Sequence, residues 1–209
     1  PSAGLDIFYN PSEQLTFLLT ANPDFAQVEA DPFSFNISRY EDYFSERRPF
    51  FTEGNEVFNP AGKQRSSGFY KPLELFYSRR IGKLLPGGKE IPLIFGTKAF
   101  GRYNDWEYGG FVALTGEEDY LDDTTHLKEQ QAYFGSARIK KTIFDNSSIG
   151  VLMVGKQTTN NTSGVIDIDG AFRGSDWQLA YQFARSFENE NGDYAASAGL
   201  TNFSESWVN

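Results

Sequence analysis

Two-residue alternation of apolar and polar side chains constrains this chain more than any other feature. It recurs in segments of roughly ten residues from Phe95 onward. Period two belongs to β-strands whose two faces meet different surroundings. The connections between the segments alternate in length. Residues 103–105 are short and 117–130 long, 143–146 short and 158–163 longer, 173–176 short and 188–193 longer again. Short turns at one end and long loops at the other are the habit of transmembrane β-barrels.

Strands are expected at 5–10, 14–22, 91–102, 106–116, 132–140, 147–157, 164–173, 177–187 and 194–203. In the second, Leu15, Phe17 and Leu19 share one face and Thr16 and Thr20 the other. In the third, Leu93, Phe95, Thr97 and Ala99 oppose Lys98 and Arg102. Trp106, Tyr108, Val112 and Leu114 align in the fourth. Tyr133, Ala137 and Ile139 oppose Ser136, Arg138 and Lys140, and Ile166, Ile168 and Phe172 oppose Asp167, Asp169 and Arg173. Trp177, Leu179, Tyr181 and Phe183 oppose Gln178, Gln182 and Ser186. The segment 147–157 is apolar on both faces apart from Ser148 and Lys156, so its facing stays open. A soluble barrel or sandwich turns its apolar faces inward; a membrane barrel turns them to lipid. Loop parity and the aromatics near strand ends, Trp106, Tyr108 and Trp177, favour the membrane. The expected fold is all-β: part of an antiparallel transmembrane β-barrel with about nine strands in this chain, residues 1–209 all belonging to it.

Composition narrows the partners. The formal net charge is −9 and no basic stripe occurs, which argues against nucleic acid. Cysteine is absent, so a disulfide framework and a thiolate metal site are excluded. No run reaches the ~18 apolar residues of a membrane helix. Low mean hydropathy is compatible with a barrel, because only every second residue meets lipid. The start, Pro1-Ser2-Ala3-Gly4, has no signal-peptide pattern. The chain reads as a piece of something longer.

Residues 23–90 break the rhythm and hold six of the nine prolines. A connection that long is usually functional or structured in its own right. Ser38 to Glu46 suits a short helix, with Ser38 and Glu41 as a capping box and Tyr40, Tyr43 and Phe44 on one side. Pro49 is expected to bar its continuation. Loop parity places both ends of this insert at the long-loop end, so it is expected to plug or cover the barrel mouth.

Three phrases in the insert carry a resemblance: Asn22-Pro23-Asp24-Phe25-Ala26-Gln27-Val28-Glu29-Ala30-Asp31-Pro32, Phe44-Ser45-Glu46-Arg47-Arg48-Pro49-Phe50-Phe51-Thr52-Glu53-Gly54, and Leu75-Phe76-Tyr77-Ser78-Arg79-Arg80-Ile81-Gly82. They resemble an uncharacterised family of bacterial outer-membrane β-barrels preceded by a periplasmic domain similar to a carbohydrate-binding module. The likeness continues more loosely through Gly96 to Arg102, Asn146 to Gly150 and Ala198 to Leu200. It implies a bacterial outer-membrane location. The carbohydrate-binding-like domain is not in these residues, and the resemblance implies no catalytic residues.

The chemistry-bearing residues have bland and functional readings. Asp24, Glu29 and Asp31 lie close together in a loop and offer oxygen ligands for a hard cation, although EF-hand spacing is absent. The preferred reading pairs Asp24 and Glu29 with Arg47, Arg48, Arg79 and Arg80, anchoring the insert against a charged wall. Lys98, Arg102, Arg138, Lys140, Asp167 and Asp169, with Lys156, are expected to face the lumen. There they fill the barrel and bind the insert, or tune ion selectivity. His126, the single histidine, sits in an acidic loop with no triad context. Glu117-Glu118 and Asp122-Asp123 invite comparison with glycosidase carboxylates, but acidic outer loops are commoner. The stripe Trp177, Leu179, Tyr181, Phe183 is read as lipid-facing surface rather than a sugar platform. No cofactor is expected and no enzyme. The expected partners are the lipid bilayer, other envelope proteins and, as a candidate ligand, a glycan. The expected role is binding, transport or structure in the cell envelope; the alternatives are a soluble carbohydrate-binding β-sandwich and a glycan-acting enzyme.

Overall fold

The computed structural model describes residues 4–23, 45–62, 71–86, 88–122, 125–144 and 146–202. Their strands are, in order, β1 (Leu5–Ser12), β2 (Leu15–Ala21), β3 (Leu93–Tyr103), β4 (Trp106–Thr115), β5 (Glu118–Asp122), β6 (Thr125–Glu129), β7 (Ala132–Ile143), β8 (Ser147–Gln157), β9 (Thr162–Arg173), β10 (Trp177–Glu188) and β11 (Tyr194–Asn202). Nine form one antiparallel sheet in the order β1-β2-β3-β4-β7-β8-β9-β10-β11. The protein is therefore all-β, and the sheet is a meander of the nine strands read from the sequence. Among the described residues β1 and β11 do not pair with each other, so the sheet is open. β5 and β6 form a separate hairpin inside the stretch read as a long loop at 117–130.

The short connections set the register. The β3–β4 turn is Asn104-Asp105, with Asn104 in the left-handed region at φ 50°, a conformation asparagine tolerates better than most residues. The β7–β8 turn places Phe144 there at φ 46°.

Alternation sorts the side chains onto two faces. The inner face, covered by the insert, buries Leu18, Thr20, Lys98, Phe111, Ala113, Ser136, Arg138, Leu152, Asp167, Asp169, Gln178 and Gln182. The outer face exposes Phe17, Phe95, Tyr103, Trp106, Val112, Tyr133, Ile139, Ile149, Met153, Ile166, Ile168, Trp177, Leu179 and Phe183. The open question at 147–157 is thus answered, with Leu152 inward and Ile149 and Met153 outward. Leu93 departs from its expected face. The β3–β4 pairing slips between Leu93 and Phe95, and this bulge turns Leu93 into the core at 4% exposure.

The insert supplies most of the aromatic core. Pro49 opens a one-turn helix of its own, α1 (Pro49–Thr52), after the irregular stretch 45–48. Its missing N–H is unneeded at a helix start and its fixed φ suits it. The expected helix at Ser38–Glu46 lies mostly outside the described residues; Ser45 and Glu46 are irregular. Single 3-10 turns follow at Asn55–Phe58 and Ser78–Arg80. Phe111 of β4 meets the rings of Phe51, Phe58 and Phe76 at centroid distances of 6.1, 5.9 and 5.2 Å, the spacing at which aromatic pairs attract beyond their area. Gly96 and Gly109 make room. A Cβ on Gly96 would lie 2.8 Å from the Phe50 ring, and one on Gly109 would lie 2.9 Å from Val57.

Candidate functional site

The seat of the insert on the inner face gathers the polar residues that the alternation singled out. Lys98, on β3, points under α1 and donates to the carbonyls of Phe50 and Phe51, both at 3.2 Å. The rings of Phe58 and Phe100 flank its amine at 5.5 and 5.8 Å. A cation among helix-end carbonyls and ring faces is satisfied without a carboxylate.

Asp167 and Asp169 project together because they are two apart on β9. Asp169 receives both guanidinium nitrogens of Arg138, one at 2.8 Å, and the Ala61 N–H at 2.6 Å. Arg138 stands on β7, so it must cross β8 to reach β9. It does so over Gly150, where a Cβ would come within 2.8 Å of the guanidinium. The same guanidinium donates to the Asn59 carbonyl at 3.4 Å. Gln182, on β10, accepts the Leu73 N–H at 2.7 Å and donates to the Leu73 carbonyl at 3.2 Å, serving that peptide as a neighbouring strand would. It also donates to Asp167 Oδ2 at 3.1 Å. Ser197 of β11 donates to the Lys71 carbonyl at 3.4 Å. The wall thus grips the main chain of the insert, and buried main-chain groups need such partners.

Of the expected arginine anchors, Arg48 lies deepest. Arg48 is buried and donates to Glu46 at 2.9 and 2.8 Å, to the Ile81 carbonyl at 2.6 Å and to the Ser78 carbonyl at 2.9 Å. Its guanidinium carbon lies 4.4 Å from the Phe51 ring centroid. Ser78 Oγ donates to Glu46 at 2.6 Å. Arg48 therefore ties residues 46–51 of the insert to residues 78–81, because a buried guanidinium needs acceptors all round and these carbonyls are near. Burial opposes ionisation of Glu46, yet the hydrogen bonds and charge of Arg48, with the Ser78 hydroxyl, outweigh it. They hold this carboxyl below the usual carboxylate range. Arg47 and Arg80 are exposed and Arg79 half-buried. Asp24, Glu29 and Asp31 lie outside the described residues.

At the short-turn end, Glu107 takes Arg102 at 2.5 Å and Lys140 at 2.6 Å. At the long-loop end, the β5–β6 hairpin is stapled to the exit of the insert. Lys89 pairs with Glu118 at 2.8 Å, and Glu129 meets Lys83 at 3.7 Å and Lys156 at 3.5 Å. Glu117 pairs with Lys128 at 2.8 Å, and its hydrogen bond raises the exposed Lys128 above the usual lysine value. The two carboxylates of Glu117-Glu118 thus face separate lysines. Asp122 and His126 are exposed on the hairpin, and Asp123 lies outside the described residues. Among the described residues no group of three or more His, Asp or Glu side chains converges to hold a metal ion.

Inner-face parity placed Gln182 on the polar face but could not name Leu73, since a main-chain partner leaves no residue-type signal. Gly150 was legible only as a glycine in a strand.

Residues 1–91 match a family model described as a domain of unknown function, DUF5916. That stretch holds β1, β2 and the insert and stops short of β3. No curated protein and no solved structure matches the chain.

Proposed function

We propose that this chain is the wall and plug of an integral outer-membrane β-barrel of a bacterium, with a binding, transport or structural role in the cell envelope. The observation that carries this reading is the polarity of the sheet. Charges and amides lie buried on the face that holds the insert, while large apolar side chains lie exposed on the other. Fourteen such side chains, mostly about 40–50% exposed, leave on the order of 1,000 Å² of contiguous apolar surface, beyond the few hundred Å² that soluble monomers tolerate. Six strands of 10–12 residues suit the 9–11 that cross a bilayer at a tilt. Aromatics gather at the ends of the outer rows: Tyr103, Trp106, Tyr108 and Trp177 at the short turns, Phe95, Tyr133 and Tyr194 at the other end. Closure of the cylinder by further strands on the open edges of β1 and β11 belongs to the same proposal, as does the absence of a catalytic role.

A soluble sandwich requires a second sheet over the apolar face, and the described residues place none there. A sugar platform at Trp177, Leu179, Tyr181 and Phe183 would be local, whereas the apolar surface runs from β2 to β10. The test is extraction. The full chain should partition into detergent or phospholipid vesicles and resist alkaline washing. A chain that stays monomeric and folded in plain buffer refutes the reading.

A further inference from the structure

Over the nine strands, the outer rows carry two charged side chains, Lys141 on β7 and Arg185 on β10. Both are basic. Each lies against an aromatic ring: Lys141 Nζ is 5.0 Å from the Trp106 centroid, and the Arg185 guanidinium carbon is 5.3 Å from that of Tyr194. Neither has an acidic or carbonyl partner among the described residues. The inward bases differ in this respect. Arg102 and Lys140 share Glu107, Arg138 holds Asp169, Lys156 meets Glu129, Lys98 holds two carbonyls, and Arg173 bonds Gln178 and the Asn146 carbonyl.

We infer that Lys141 and Arg185 are seats for lipid phosphate groups, one at each margin of the apolar band; this rests on the membrane reading above. Their heights fit. Lys141 is two residues from the short-turn end of β7, and Arg185 is eight residues beyond the start of β10 at that same end. Six residue steps at ~3.3 Å, on strands tilted by ~40°, separate their Cα levels by about 15 Å along the barrel axis. Apolar stems snorkelling outward by about 5 Å at either margin bring the two charges to the ~25 Å height of a barrel's apolar band. At each margin the ring sits at the interface beside the cation. The cation lacks the counter-ion that a phosphate would supply, and an ammonium or guanidinium left unpaired against lipid is costly.

The test uses Trp106 as a reporter of the lipid beside Lys141, in a full-length chain carrying W177F and W207F and folded into vesicles. The probes are phosphatidylglycerol and phosphatidylcholine, each brominated on the acyl chain. Phosphatidylglycerol should be favoured about fivefold at Trp106, the equivalent of ~1 kcal/mol per basic residue near the surface. The preference should vanish in Lys141→Ala, return in Lys141→Arg and fall in high salt. Equal quenching by the two lipids in the Lys141 chain, or the same preference in Lys141→Ala, overturns the inference and leaves the membrane reading standing. Failure of either brominated lipid to quench Trp106 in any variant overturns both.

Discussion

The Arg138–Asp169 pair offers the sharpest test of how wall and insert hold together, because both side chains are at most 1% exposed. Arg138→Met removes the cation and leaves the Asp169 carboxylate with the Ala61 N–H, beside the second carboxylate of Asp167. Stranding a buried charge in this way costs about 3–5 kcal/mol. Replacing both partners, Arg138→Met with Asp169→Leu, strands the Ala61 N–H, a cost of about 1–3 kcal/mol, and gives up the long bond to the part-buried Asn59 carbonyl. The double variant should thus be more stable than the Arg138 single variant. Gly150→Ala supplies a third corner. Its Cβ would press on the guanidinium at 2.8 Å, costing about 1–3 kcal/mol as overpacking, and that cost should vanish once Arg138 is Met. The assay is urea unfolding of the full chain in detergent micelles, followed by tryptophan fluorescence. With slopes of about 1–3 kcal/mol per molar urea, the Arg138 variant should unfold roughly 2 M earlier than the parent. Strict additivity of Arg138→Met with either of the other two changes would refute the reasoning, because it would mean that the three side chains do not share one buried interaction.

Two further outcomes are expected. Glu46 has its folded-state pKa depressed, so its contribution is complete above the unfolded value near about pH 4 and is lost as pH falls through the folded value. Amide exchange at residues 45–51 and 78–81 should therefore accelerate in acid, and Glu46→Gln should flatten that step; an unchanged pH dependence in the variant would count against the Arg48–Glu46–Ser78 tie. Phe144 is 78% exposed and held at φ 46°, a strain of about 1–2 kcal/mol for an ordinary side chain. Phe144→Asn should stabilise the fold in detergent by about 0.5–1 kcal/mol, read as a later urea midpoint, and an earlier midpoint would mean that its ring makes contacts worth more than the strain.

The strands were legible because alternation is a local signal: Trp106, Tyr108 and Val112 declare an outward row without knowledge of any neighbour. Leu93 was misassigned because the bulge at Ile94 comes from pairing with β4, which local periodicity does not register. The β5–β6 hairpin was missed because a five-residue strand such as Glu118–Asp122, mostly exposed and acidic, has too little apolar contrast to stand out from a loop. The seat was half legible. Lys98, Arg138, Asp167 and Asp169 fall on the inner face by parity, yet parity could not show that Lys98, Arg138 and Asp169 also bind main chain of the insert. Arg48 takes Glu46, a carboxylate two residues away that reaches it without the loop-closure cost of a distant partner; its expected partners Asp24 and Glu29 lie outside the described residues.

On the proposed barrel reading, these contacts restrict how the insert could leave its seat. The two halves of the seat differ in chemistry: near β2 to β4 the insert is held mainly by rings, with Lys98 bonding two of its carbonyls, and near β9 to β11 by hydrogen bonds to its backbone. Ejecting the whole insert would expose Phe50, Phe51, Phe58 and Phe76, at about 1.5–3 kcal/mol each. That sum, roughly 6–12 kcal/mol, is comparable to the entire stability of an ordinary domain. It would also leave Phe111 and Leu152 wet on the inner wall. The bonds from Asp169, Gln182 and Ser197 to Ala61, Leu73 and Lys71 can instead be exchanged for water at about 1 kcal/mol apiece. On the proposed barrel reading, a path opened beside the insert would therefore run past Asp167, Asp169 and Gln182 on the β9–β11 side rather than through a wholly emptied lumen.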